Sequence, residues 1–200
     1  MTTATHAAPA APPAPGTLVP ATIIPLEGVA IAAVVLAGLA VAIATDATWA
    51  LNFYHVAGGG AWTALDLFLG FVLGPLIGRM SPPARAELSA RLMPKMLLLM
   101  PTLVTMTLAS GFQLARHFGF LLEEYPRHGW IVASFIVVGV LATIGLGVLE
   151  PANLAVLFEM RKPAPNVELI GKLMRRFMLT AGITGALQVA TLIIMTRLPT

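Results

Sequence analysis

Five long apolar segments constrain the fold of this chain more than any other feature of its sequence. Each holds at least 18 residues; four contain no charged residue, and the other contains a single aspartate. At 1.5 Å per residue, about 20 residues of helix cross a hydrocarbon core of about 30 Å. The segments are 28–45, 53–78, 96–115, 129–149 and 177–196.

These segments predict an all-α fold, a polytopic membrane bundle of five transmembrane helices with a four-helix core and one added N-terminal helix. Only helices or closed barrels span lipid, and no segment shows the period-two alternation of barrel strands. Charged residues are 10% of the chain, against about 25% in soluble domains. We expect residues 1–25, rich in alanine and proline, to be a disordered tail, and residues 26–200 to form the bundle in the lipid bilayer.

The basic residues predict the orientation of the bundle. The loop after the second segment and the loop after the fourth carry nine of the twelve. The positive-inside rule places both loops in the cytoplasm of a bacterial cell, with the protein in the inner membrane, the N-terminus cytoplasmic and the C-terminus periplasmic. With a net charge of only +3, this pattern does not indicate nucleic-acid binding. The nine residues are Arg79, Arg85, Arg91, Lys95, Arg161, Lys162, Lys172, Arg175 and Arg176.

Asp66 is the single charged residue of the second segment and lies near its middle. A carboxylate at mid-membrane costs at least about 2.5–3.5 kcal/mol on insertion scales, so such residues face a bundle interior or a pathway. We assign Asp66 as the candidate catalytic residue. The alternative is a neutral carboxyl that only joins helices, through a hydrogen bond to a hydroxyl such as Thr102 or Thr105.

Three of the four histidines lie at the predicted outer face: His55, His117 and His128. His55 precedes Asp66 by eleven residues, which returns to within about 20° of the same helix face. Neutral imidazole is the commonest ligand for transition metals and also binds haem iron. We assign His55 as a candidate metal or cofactor ligand, and His117, His128 and Gln113 as further cofactor-binding candidates. The alternative is that these histidines only lie among lipid headgroups.

The sequence also predicts how the helices meet. Glycines at 59, 70, 74 and 78 of the second segment would let a neighbouring backbone approach closely. The predicted neighbour is the third segment, where polar and small residues recur at spacings of three and four. Glu150, at the end of the fourth segment, is expected to pair with a loop arginine. The chain has no cysteine, which excludes disulfides, thiolate metal sites and iron–sulfur clusters.

The run from His55 to Trp62, His-Val-Ala-Gly-Gly-Gly-Ala-Trp, resembles the opening "His, two apolar residues, Gly-Gly, Trp" of the copper-resistance D-type membrane proteins and their uncharacterised four-helix relatives. Thr107-Leu-Ala-Ser-Gly111 looks like part of their next helix. The similarity covers roughly residues 50–200 and leaves the first segment as an addition.

A neighbouring group, the flavin-independent membrane protoporphyrinogen oxidases, is similar in layout. This resemblance implies haem b bound through histidine. That group also relies on an intramembrane lysine, whereas the candidate here, Lys95, lies at the mouth of a helix, which argues against that activity.

The function we expect is therefore a histidine-based redox or metal site near the outer face, with haem b as its cofactor and His55 as an axial ligand. Quinone or another membrane redox partner would exchange electrons with it. The alternative is a non-catalytic membrane-complex subunit or a small-solute permease, in which Asp66 lies in a helix seam or a pathway. The sequence leaves open whether the protein forms an oligomer.

Overall fold

The computed structural model describes residues 24–198, and all its regular elements there are helical. Five helices are long and apolar enough to cross a membrane, so the prediction of a multi-pass helical bundle is confirmed. The tail expected at residues 1–25 lies almost wholly outside the described part of the chain. The five helices are α1 Leu26–Ala44, α2 Thr48–Arg79, α3 Pro82–His117, α4 His128–Met160 and α5 Val167–Thr196.

Three of the helices, α3, α4 and α5, extend well beyond their charge-free segments among charged residues on one side of the bundle. α3 begins fourteen residues before its apolar segment and α5 begins ten residues before its own. α4 continues to Met160, eleven residues beyond the charge-free segment that ends at Leu149. Met93, Met160 and Met174 are fully buried in this extension. A charge marks where a helix leaves the lipid, whereas packing decides where the helix ends.

Two helices contain a widened π-helical turn immediately before a proline. The turn Phe68–Leu73 interrupts α2 ahead of Pro75, and the turn Gly145–Leu149 interrupts α4 ahead of Pro151. Proline has no N–H and its ring clashes with the carbonyl four residues earlier. A single π-turn relieves that clash without breaking the helix, and such turns occur often at functional sites.

The loops gather at two ends of the bundle. We call one the histidine end, because it carries His55, His117 and His128, and the other the basic end, because it carries Arg85 and Lys172. At the histidine end, the Tyr125 hydroxyl donates to the backbone oxygen of Leu198 over 2.8 Å and so ties the α3–α4 loop to the C-terminal end of α5. α1 is peripheral: of its residues only Leu39 and Ala42 are buried.

Candidate functional site

A large apolar cavity opens among α2, α3, α4 and α5 in the half of the bundle nearest the histidine end. Its volume of about 480 Å³ lies within the range of about 300–1,000 Å³ that is common for small-molecule sites. Aromatic and aliphatic side chains supply most of its walls. Its polar side chains are Asn52, His55, Thr63, Thr107, Ser134, Gln188 and Thr191.

His55 is the histidine that lines this cavity. Its Nδ1 lies 2.9 Å from the backbone oxygen of Thr107 on α3. A carbonyl only accepts hydrogen bonds, so Nδ1 carries the hydrogen and the neutral ring holds its lone pair on Nε2. No hydrogen bond to Nε2 is made within residues 24–198. This is the arrangement that fixes the tautomer and ring orientation of a ligating histidine.

Gly111 makes room for the His55 ring. A Cβ atom at position 111 would lie 2.6 Å from His55 Cε1 and 2.7 Å from Nδ1, closer than carbon atoms can pack. One turn before it on α3, Thr107 offers the carbonyl that accepts from Nδ1. The predicted contact between the second and third segments is therefore confirmed at the depth of His55. There it holds the imidazole ring against the α3 backbone.

His117 and Gln113 belong to a different polar cluster, at the turn between α1 and α2. Asp46 accepts there from His117 Nδ1 over 2.8 Å and from Gln113 Nε2 over 3.2 Å. The other imidazole nitrogen of His117 lies 3.3 Å from the Thr48 hydroxyl. The hydrogen bond from His117, followed by that from Gln113, lowers the pKa of the exposed Asp46 carboxyl. This cluster holds α1 to the end of α3 and does not line the cavity.

His128 stands apart from both groups. It begins α4, and its buried Nδ1 has no hydrogen-bond partner among the described residues. The structure thus brings His55 into the cavity and leaves the other two predicted histidines outside it. Between residues 24 and 198, no three histidine, aspartate or glutamate side chains come together as a metal site would require.

Asp66 is completely buried in the middle of the bundle, between α2 and α5. Its Oδ2 accepts from the Thr184 hydroxyl over 2.9 Å and from Gln188 Nε2 over 2.7 Å. The hydrogen bond expected with Thr102 or Thr105 on α3 is not formed, and the Thr102 hydroxyl instead donates to the Leu98 carbonyl of its own helix.

Thr184 and Gln188 are the site residues that the sequence reasoning missed. They lie four residues apart on α5 and so share one helix face. A further threonine lies four residues before Thr184. Polar residues at this spacing in an apolar helix indicate a face turned toward the bundle interior, and that signal would have identified α5 as the partner of Asp66.

A scan against family models, a search of curated proteins and a search of solved structures each found no match to this chain.

Proposed function

We propose that this protein is a multi-pass membrane protein that binds haem b in the apolar cavity, with His55 Nε2 as an axial ligand. The observation that carries the proposal is the hydrogen bond from His55 Nδ1 to the Thr107 carbonyl. That bond leaves the lone pair of Nε2 for a ligand, in a cavity of suitable size and apolar character. Haem b, when bound, supplies one-electron transfer.

The other residues around the cavity fit the same cofactor. Porphyrin rings need apolar walls, which Phe112, Phe135 and Leu141 provide. Of the remaining lining side chains, the Met195 thioether is of a kind that also ligates haem iron. His117 is held by Asp46 and Thr48 at both ring nitrogens, so it is a weaker candidate for a second ligand than the sequence suggested.

A redox role for the site requires an electron partner that reaches it. Quinone is such a partner, because it is soluble in the bilayer and the cavity opens among four helices that are long and apolar enough to cross a membrane. We place the protein in the bacterial inner membrane, with the basic end in the cytoplasm and the histidine end at the periplasmic face. This orientation follows from the basic residues and the positive-inside rule.

The decisive experiment is a reduced-minus-oxidised visible spectrum of the purified protein, supplemented with haem during expression. We expect a split visible band in the wild type and its loss in His55→Ala. His117→Ala and His128→Ala are the matched controls, since each removes an imidazole of the same end without touching the cavity. An unchanged haem content in a folded His55→Ala protein would exclude the proposal.

A further inference from the structure

A second, much smaller cavity lies on the other side of Asp66, toward the basic end. Its volume is about 30 Å³, which is room for about two water molecules. Trp62 and Leu141 line both cavities, Asp66 lies one helical turn beyond Trp62 on α2, and Glu150 lies nine residues beyond Leu141 on α4. Since Phe177 and Thr184 are seven residues apart on α5, the inner cavity extends over roughly 10 Å along the bundle.

Asp66 and Glu150 are the titratable side chains among the residues that line the inner cavity. The residues from α3 and α5 add no charge, and neither do those from the rest of α2 and α4. They are Trp62, Met100, Pro101, Val104, Leu141, Ala142, Gly145, Leu146, Leu149, Phe177 and Thr184. The two carboxyls are therefore the charged groups of an otherwise uncharged cavity lining.

Both carboxyls have oxygen atoms that make no hydrogen bond. No described residue forms a hydrogen bond of good geometry to Asp66 Oδ1, although the Trp62 indole lies beside the carboxylate. The Glu150 side chain makes no hydrogen bond or ion pair with any residue in 24–198, so the loop arginine expected to pair with it does not. Buried polar atoms in native proteins are satisfied by protein or water in the great majority of cases. Asp66 Oδ1 is such an atom, and it lies at a cavity that the unpaired Glu150 side chain also lines, which indicates water in that cavity.

The Asp66 end of the path carries a second unpaired acceptor. Gln188 donates from Nε2 to Asp66 Oδ2, but its own Oε1 is buried without a partner. A carboxylic acid and a primary amide pair through two antiparallel hydrogen bonds, and one proton on Oδ1 would satisfy both oxygens at once. Gln188 also lines the large cavity, so this pair separates the two cavities.

The Glu150 end of the path lies beside the charged part of the bundle. Phe177, which lines the cavity next to Glu150, directly follows Arg175 and Arg176 on α5. Lys95 precedes Met100, the first lining residue of α3, by five residues. Glu150 is only partly buried, so its carboxyl is not sealed inside the bundle.

From this geometry we propose that Glu150 and Asp66 form a proton path from the basic end of the bundle to its centre. Water at the basic end gives a proton to the Glu150 carboxylate. Water in the inner cavity carries it to Asp66 Oδ1, where the hydrogen bonds of Gln188 and Thr184 hold the neutral acid in place. Loss of the proton follows the same route in reverse. The path goes beyond the haem site and does not depend on it.

The test is hydrogen–deuterium exchange of the Asp66 carboxyl, followed by infrared spectroscopy on protein reconstituted in lipid. The C=O band that Asp66→Asn removes belongs to the neutral acid, and transfer to D₂O shifts it. We expect exchange to slow at least about tenfold in Glu150→Gln. The control is Glu87→Gln, which alters an exposed glutamate of the same end and should leave the rate unchanged.

Ala142→Leu is an independent variant, because it fills the inner cavity and leaves both carboxyls in place. It should slow exchange of the Asp66 carboxyl as Glu150→Gln does. It therefore tests the proposed path even if Glu150→Gln fails to fold. Exchange at the wild-type rate in a folded variant of either kind would overturn the proposed path. So would the absence of any band that depends on Asp66.

Discussion

Gly70 on α2 and Gly182 on α5 are in backbone contact: a Cβ atom built on Gly70 would lie 2.1 Å from the Cα atom of Gly182. Three residues further along α5, a Cβ atom on Gly185 would lie 2.8 Å from the backbone nitrogen of Leu67. This glycine seam, formed by Gly70, Gly182 and Gly185, brings the two backbones close enough for the Asp66 side chain to reach Thr184 and Gln188. Close packing of this kind drives helix association in lipid, where no hydrophobic force acts between helices.

Gly70→Ala is therefore expected to destabilise the protein. The atoms that its Cβ would meet belong to the backbone and cannot turn aside, and such overpacking costs about 1–3 kcal/mol or more. Gly78→Ala is the matched control on the same helix, because its Cβ would meet nothing within 4 Å. The free energy of unfolding in mixed micelles measures both. Equal stability of the two variants would show that the seam is not as tight as described.

The sequence indicated a glycine seam on α2 with α3 as its partner, which is confirmed near His55 and Gly59 but not near Gly70, where α5 packs instead. Glycines spaced by four residues identify a face that packs closely, and they contain no information about which helix meets it. α3 meets α2 near His55, Gly58 and Gly111, whereas α5 meets it near Gly70. α3 and α5 thus pack on the same face of α2 at different depths. Only the three-dimensional packing shows at which residue the contact with α3 ends and the contact with α5 begins.

Gly111→Ala tests whether the space at Gly111 is needed to orient the His55 ring. The added Cβ would overlap the imidazole ring, which can rotate away at small cost in stability but then loses its hydrogen bond to Thr107. Loss of an interaction that orients a ligand lowers cofactor affinity by about 10–100-fold. We expect haem affinity to fall in Gly111→Ala, measured by haem titration of the apoprotein, and to stay unchanged in Gly139→Ala, whose Cβ meets nothing within 4 Å. Wild-type affinity in Gly111→Ala would argue against His55 as ligand.

Asp46 makes the protein sensitive to acid. Its hydrogen bonds to His117 and Gln113 lower its pKa in the folded state, below the unfolded value of about 3.9. The stability that this shift contributes is complete above the unfolded pKa and is lost as the pH falls through the folded-state pKa. Thermal midpoints measured from about pH 2 to pH 6 should fall less steeply at the acid end in Asp46→Asn than in the wild type. An exposed loop carboxyl, in Glu123→Gln, supplies the control, and identical profiles for all three would contradict the prediction.

Orientation is open to a direct test with reporter fusions. Fusions at Arg85 and Lys172, at the basic end, should report the cytoplasm, and a fusion at Glu123, in the loop at the histidine end, should report the periplasm. The reason is the excess of arginine and lysine at the basic end. A periplasmic signal from Arg85 would place the large cavity near the cytoplasmic face and reverse the direction of the proposed proton path.

The sequence located the candidate site residues better than it located their contacts. Asp66 and His55 were identifiable because a charge in an apolar segment and a histidine before a glycine run are rare and costly features. Glu150 follows the last residue of a charge-free segment, and its position beside the inner cavity depends on how α4 packs against α3 and α5. The cluster around Asp46 was missed altogether, since a single loop aspartate contains no spacing signal that points to His117, seventy-one residues later.

The contribution of the Asp66–Gln188 pair to stability can be measured independently of proton transfer. Asp66→Leu and Gln188→Leu each leave a buried polar partner unsatisfied, and each should cost about 1–3 kcal/mol of stability. The double variant removes both partners, so its cost should fall short of the sum. In double-mutant cycles, hydrogen bonds between membrane helices contribute about 0.6 kcal/mol on average and up to about 1.7 kcal/mol. We expect the interaction energy of the Asp66–Gln188 pair to lie near the upper value.

Asp66→Asn completes this cycle, because the amide can accept from Gln188 Nε2 through its oxygen and donate to Gln188 Oε1 through its nitrogen. We expect its free energy of unfolding to stay close to that of the wild type. The amide holds no exchangeable acid proton, so any activity that needs proton transfer through Asp66 should be lost in the same variant. Strong destabilisation by Asp66→Asn would mean that the site requires a negative charge, and the neutral acid–amide pair would then be wrong.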